Sequence, residues 1–171
     1  RGSVLPDLGR VRAGVTRIPV VMGAAAATLM VFSFQGLTAF LPTYLVAVKG
    51  LSEGTAAGLF TLLFLAGAVF QSAAGGVADR FGHGRVLAAV TATSILPLVA
   101  LPFVSGTVPL AALVLVLGIR LAIGPVSNAY LVRILPEDVM GSAWGLIRTA
   151  FFVIGSTGSV FVGALADRNL F

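Results

Sequence analysis

The 171-residue chain is 58% hydrophobic and 10% charged, with a mean hydropathy of +1.06. Soluble domains carry roughly 45–50% apolar residues, so a water-soluble globular fold is excluded. The net charge of +5 sits between apolar runs rather than on one basic face, which makes it a matter of membrane topology and argues against a nucleic-acid partner. With no cysteine, disulfides, thiolate metal sites and cysteine nucleophiles are excluded as well.

Residues 1–17 are basic and begin with Arg1, and they read as an internal loop of a longer chain. Apolar runs follow at about 18–48, 56–77, 86–104, 108–132 and 143–166. Each is near or above the roughly 20 residues that a bilayer-spanning helix needs, and the expectation is five transmembrane helices. The segment "RIPVVMGAAAA" has a signal-like basic start and small residues, but its apolar run continues past the alanines and four more spans follow. Pro97, Pro102 and Pro125 fall inside the runs, where neighbouring helices can satisfy the freed backbone groups. The short alternating segments of a transmembrane barrel are not seen.

Five spans with the first residues inside place Arg1, Arg10, Arg12, Arg17, Arg80, Arg85 and Arg133 on the cytoplasmic side, against Lys49 and Arg168 outside. The positive-inside tendency therefore selects a cytoplasmic N-terminus.

An internal repeat runs through these spans. Gly75, Val77, Ala78, Asp79 and Arg80 align with Gly163, Leu165, Ala166, Asp167 and Arg168 at a spacing of 88, as Gly67 does with Gly155. "GTAAGL" at 54–59 matches "GSAWGL" at 141–146, and Tyr44-Leu45-Val46 matches Tyr130-Leu131-Val132. The repeat unit holds three spans, and an odd number places successive units upside down in the membrane. The counterpart of the third span would begin near residue 174, so a sixth helix is expected beyond this chain.

"GGVADRFGHGRVL" (75–87) resembles the cytoplasmic loop signature of the major facilitator superfamily, Gly-x-x-x-Asp-Arg-x-Gly-Arg-Arg. Gly75, Asp79, Arg80 and Gly82 match it, and Arg85 follows after His83 and Gly84 have replaced the basic pair. That departure, "FLPTYLVAVKGLSEGTAAGLF" (40–60) and the exit "GALADR" resemble the C-terminal half, whereas "RLAIG" (120–124) resembles a signature of the N-terminal half. The resemblance implies an all-α polytopic bundle, five of the six helices of one half (a 3+3 inverted repeat with its last helix missing), with 1–17 as the cytoplasmic loop between halves and 18–171 as the bundle. It also implies that the loop carboxylate Asp79 latches one gating state. Bottom-up, Asp79 can accept hydrogen bonds from a neighbouring helix N-terminus or pair with Arg85, or simply be a solvated acid.

Arg120 carries the strongest functional signal. It lies about 18 Å from either end of its span at 1.5 Å per residue, beyond the reach of snorkelling. Exposing it to lipid would cost roughly 3 kcal/mol or more, so it must face a cavity or a partner. Helical periodicity predicts a polar, small-residue face of Arg120, Gly124, Ser127 and Asn128; the alternative is that Arg120 bonds carbonyls freed near Pro125. Arg148 is shallower and can snorkel. Gln35 and Gln71 can bond a solute or a neighbouring helix, with packing favoured for Gln71. The single histidine, His83, reads as a surface loop substitute for a basic residue, since no triad or metal set surrounds it.

No span contains Asp or Glu, and "GHGR" lacks the Gly-Lys-Ser/Thr ending of a phosphate-binding loop. Neither a hydrolase nor a nucleotide-driven pump is expected, and no metal or other cofactor. The expectation is a multi-pass protein of the cell (plasma or inner) membrane whose partners are the lipid bilayer, a small-molecule solute and the missing other half. It would be a secondary transporter working by alternating access, with two intramembrane cations tilting the substrate towards an organic or inorganic anion. The alternatives are a sugar or drug carrier in which Arg120 is structural, and a non-transporting receptor or scaffold.

Overall fold

The computed structural model describes residues 8–135, 137 and 140–168, and these contain helices and no strand. A short helix, α1 (Leu8–Val15), precedes α2 (Ile18–Ala47), α3 (Glu53–Phe81), α4 (His83–Ala100), α5 (Thr107–Leu117), α6 (Ile123–Ile134) and α7 (Met140–Ala166). Three-residue and five-residue 3₁₀ segments follow α4 and α5. Five spans are long and apolar enough to cross a bilayer: Ile18–Ala47, Glu53–Phe81, His83–Phe103, Thr107–Ile134 and Met140–Ala166. Arg1 and the rest of residues 1–7 of the N-terminal loop lie outside the described residues.

Local sequence explains where the helices begin and end. Ser52 caps α3 by accepting from the Thr55 backbone N–H at 3.2 Å, which satisfies one of the donors that every helix start leaves open. At the other end α3 runs to Phe81 and α4 starts at His83, so a single residue turns the chain. That residue is Gly82 at φ +92°, a conformation that a side chain would strain. Pro42 and Pro97 stand inside α2 and α4. Pro125 occupies the third position of α6, in the first turn, where no backbone N–H is required.

The contacts divide the described chain into two compact units. Unit 1 holds the residues up to Gly36 and from Ser127 on, and unit 2 holds Leu37–Val126. In unit 2 the core is built from Leu41, Leu45, Leu59, Leu63, Leu110, Val114 and Leu117. Lys49 ties the turn after α2 to the end of the third span by donating to the Pro102 carbonyl at 2.7 Å. In unit 1 the core comprises Val11, Val20, Ala27, Leu131, Leu135, Ala143, Ile147 and Phe151, with α1 lying on α7.

Among the described residues, each unit contains very close helix approaches made possible by glycine. In unit 2 a Cβ on Gly67 would fall 2.9 Å from Leu121 Cγ, and one on Gly118 would fall 2.7 Å from Ala66 Cβ. In unit 1 a Cβ on Gly155 would fall 2.7 Å from Val31 Cβ, and Gly158 rests against the Phe32 carbonyl. Gly67 and Gly155 are 88 residues apart, and their partners Leu121 and Val31 are 90 apart, so the two contacts match each other within two residues. In lipid, where burying apolar side chains gains little, such close backbone approach is a principal source of helix association.

Large apolar side chains such as Phe103, Val108, Leu96 and Ile18 are outward-facing, each more than 70% exposed. A water-soluble surface does not carry such a set. Hydroxyls within the spans are satisfied by their own helices, as when Thr28 donates to the Ala24 carbonyl at 2.8 Å and Thr91 to that of Leu87 at 2.8 Å.

Candidate functional site

Arg120 stands at the centre of the fourth span, Thr107–Ile134, where the helix tightens locally. Between α5 and α6 the backbone tightens into the 3₁₀ segment Gly118–Ala122, which packs closely on α3 through Gly118 and Leu121. The Arg120 side chain is 9% exposed and donates through Nη1 to Ser94 Oγ on α4 at 3.4 Å. Ser94, fully buried, in turn donates its hydroxyl in a hydrogen bond to the Thr91 carbonyl at 2.8 Å. Unit 2 therefore encloses a buried arginine at the middle of an apolar span.

The residues of the polar face drawn by helical periodicity differ in exposure. A 3₁₀ turn advances 120° per residue instead of 100°, and Gly124 is exposed while Arg120 and Ser127 are buried. Arg120 and Gly124 belong to unit 2, Ser127 and the half-buried Asn128 to unit 1. Pro125, the third residue of α6, follows the 3₁₀ segment closely and has no N–H to offer the carbonyls one turn before it.

The loop motif forms a helical corner in unit 2. Gly75, Asp79 and Arg80 lie on the last turns of α3 with exposed side chains, Gly82 makes the corner, and Arg85 is exposed on the first turn of α4. The structure corrects the placement of His83, which is buried at 9% exposure rather than on the surface. Its Nε2 lies 3.8 Å from Asp79 Oδ1 across the corner.

Gln35 is half-buried on α2 in unit 1. Arg148 is exposed on α7 in the same unit, its guanidinium 5.7 Å from the Phe152 ring centroid. Gln71 is exposed on α3.

The family model of the Major Facilitator Superfamily matches residues 5–168. The chain belongs to this superfamily. It is accordingly an integral, multi-pass membrane transporter protein. No curated protein and no solved structure matches the chain.

In this superfamily member, unit 2 also holds a groove of about 480 Å³ where α2 ends and α3 begins, lined among others by Pro42, Thr43, Glu53, Phe60 and Thr61. Sequence reasoning missed it. The signals available were Pro42, which interrupts the backbone ladder of α2, and the i, i+4 spacing of Glu53, Ala57 and Thr61 on one face of α3. The groove opens at the end of α3 opposite to Asp79. Among the described residues no three His, Cys, Asp or Glu side chains come together in a metal-binding group.

Proposed function

We propose that this chain is part of one half, the C-terminal half, of a secondary transporter that moves a small anionic solute by alternating access. One observation carries the reading: the fourth span tightens into a 3₁₀ segment at its centre, and that segment holds a buried arginine. Transporter sites are built near the bilayer midplane from interrupted helices, and a guanidinium presents paired donors suited to carboxylate or phosphate. The matched glycine contacts, Gly67 on Leu121 and Gly155 on Val31, support a duplicated three-span unit, which is the architecture that alternating access uses.

In this reading Arg120 recognises the anion, and Asn128, Ser127, Gln35 and Arg148 are further cavity candidates. Gly75, Asp79, Arg80, Gly82 and Arg85 form the cytoplasmic gate, with the N-terminus cytoplasmic in the cell membrane. The bilayer, the solute and a second half are the partners. The test is uptake by proteoliposomes of the full-length polypeptide: saturable flux of a labelled organic or inorganic anion, competed by other anions and not by neutral sugars, is the expected result. Flux of a neutral sugar or a cationic drug alone would replace the substrate class and leave the transporter in place.

A second reading is favoured by the Ser94 contact. There Arg120 is a structural brace that ties the fourth span to α4, and the solute is a sugar or drug.

A further inference from the structure

Three arginines are exposed where α1 passes into the first span: Arg10, Arg12 and Arg17. α1 is held by its apolar side, with Val11 buried in the unit 1 core beside Leu135, Ala143 and Ile147, and Val15 and Trp144 packed against the same cluster. At about 100° per residue Val11, Gly14 and Val15 share one arc of the helix, and Arg10 and Arg12 stand on its two flanks. Thr16 closes the helix by donating its hydroxyl proton to the Arg12 carbonyl at 2.9 Å. Arg17 then immediately precedes Ile18, the first residue of the membrane-spanning α2. A fourth arginine, Arg133, is exposed on the last turn of α6, two residues before Leu135 of that cluster. By sequence the acidic residues near this end are Asp7, Glu137 and Asp138, of which Glu137 is described and exposed.

We propose that this end of unit 1 binds the headgroups of anionic phospholipids. The arginines are spread along a helix that lies at the level where a span leaves the hydrocarbon, which is where headgroup phosphates are arrayed. A site for a soluble anion would instead gather enclosed donors around one point; these arginines are exposed and dispersed, Arg10 and Arg12 on the two flanks of α1, Arg17 after its end and Arg133 on α6. Basic clusters beside a span are attracted to anionic lipid in this way, and the apolar anchoring of α1 spares the cost of ordering the helix at the moment of binding.

The chain carries its own probe, since Trp144 is its single tryptophan and is half-buried on the same cluster. The full chain is reconstituted in bilayers in which phosphatidylcholine is replaced stepwise by brominated phosphatidylcholine or by brominated phosphatidylglycerol, and Trp144 quenching is followed. Stronger quenching by the anionic lipid is expected, with the relative binding constant falling by up to about fivefold for each arginine removed. Arg10→Gln, Arg12→Gln and Arg17→Gln should each lower the ratio, and the triple glutamine variant should bring it close to one. The triple lysine variant should keep most of it, which separates lost charge from lost folding. Equal quenching by the two lipids in the unaltered chain, or an unchanged ratio after all three glutamine substitutions, would overturn the proposal.

Discussion

Gly155 of α7 rests on Val31 of α2 so closely that a Cβ would come within 2.7 Å of Val31 Cβ and 3.2 Å of the Phe32 backbone nitrogen. The backbone atom cannot turn aside as a side chain can, so Gly155→Leu should destabilise the protein by about 1–3 kcal/mol through overpacking. Gly67→Leu should do the same through Leu121. Gly75→Ala and Gly141→Ala, which meet nothing within 4 Å among the described residues, should leave thermal unfolding in detergent unchanged. Equal midpoints for all four variants would contradict the close-packed contacts.

Gly82 sits at φ +92° and ψ 132° with its N–H donating to the Ala78 carbonyl. L-residues rarely adopt this conformation, and Gly82→Ala should cost about 1–3 kcal/mol by straining the only residue between α3 and α4. The measurement is the same unfolding midpoint, set beside Gly84→Ala, which lies inside α4 at negative φ and should be neutral or slightly stabilising.

The orientation reading is open to labelling, because the chain has no cysteine of its own. Single cysteines at Gly84, between Arg80 and Arg85, and at Ser105, between the third and fourth spans, should react with impermeant reagent from opposite faces, 84 from the cytoplasm and 105 from outside. Labelling of both from one face would remove the assigned topology.

Arg120 and Ser94 separate the two readings of the buried cation. If Arg120 binds solute, Arg120→Gln should weaken apparent anion affinity by one to two orders of magnitude, at about 1.4 kcal/mol per tenfold, with expression near normal, and Arg120→Lys should retain part of it. Ser94→Ala removes two hydrogen bonds, the one accepted from Arg120 and the one donated to the Thr91 carbonyl, and should cost stability of about 1–3 kcal/mol with a smaller effect on affinity. If both substitutions lower the unfolding midpoint together and affinity is untouched, the arginine is a brace.

The sequence alone determined that the chain crosses the membrane five times, because apolar length against bilayer thickness is a one-dimensional property. The loop signature at 75–85 pointed to the superfamily, since its glycines and charges are contiguous, and the 88-residue spacing of Gly67 and Gly155 was visible before their partners were. What periodicity missed was the tightening at Gly118–Ala122. Gly118 and Leu121 pack closely on α3 there, and Pro125 just beyond supplies no N–H to the ladder; Gly124 is exposed where Arg120 is buried. His83 was read as a surface residue because its neighbours are polar, yet the one-residue corner at Gly82 turns it inward beside Asp79. The groove at Pro42 and Glu53 had no contiguous signature at all, because its walls come from two helices, and only the tertiary packing of α2 against α3 could bring them together.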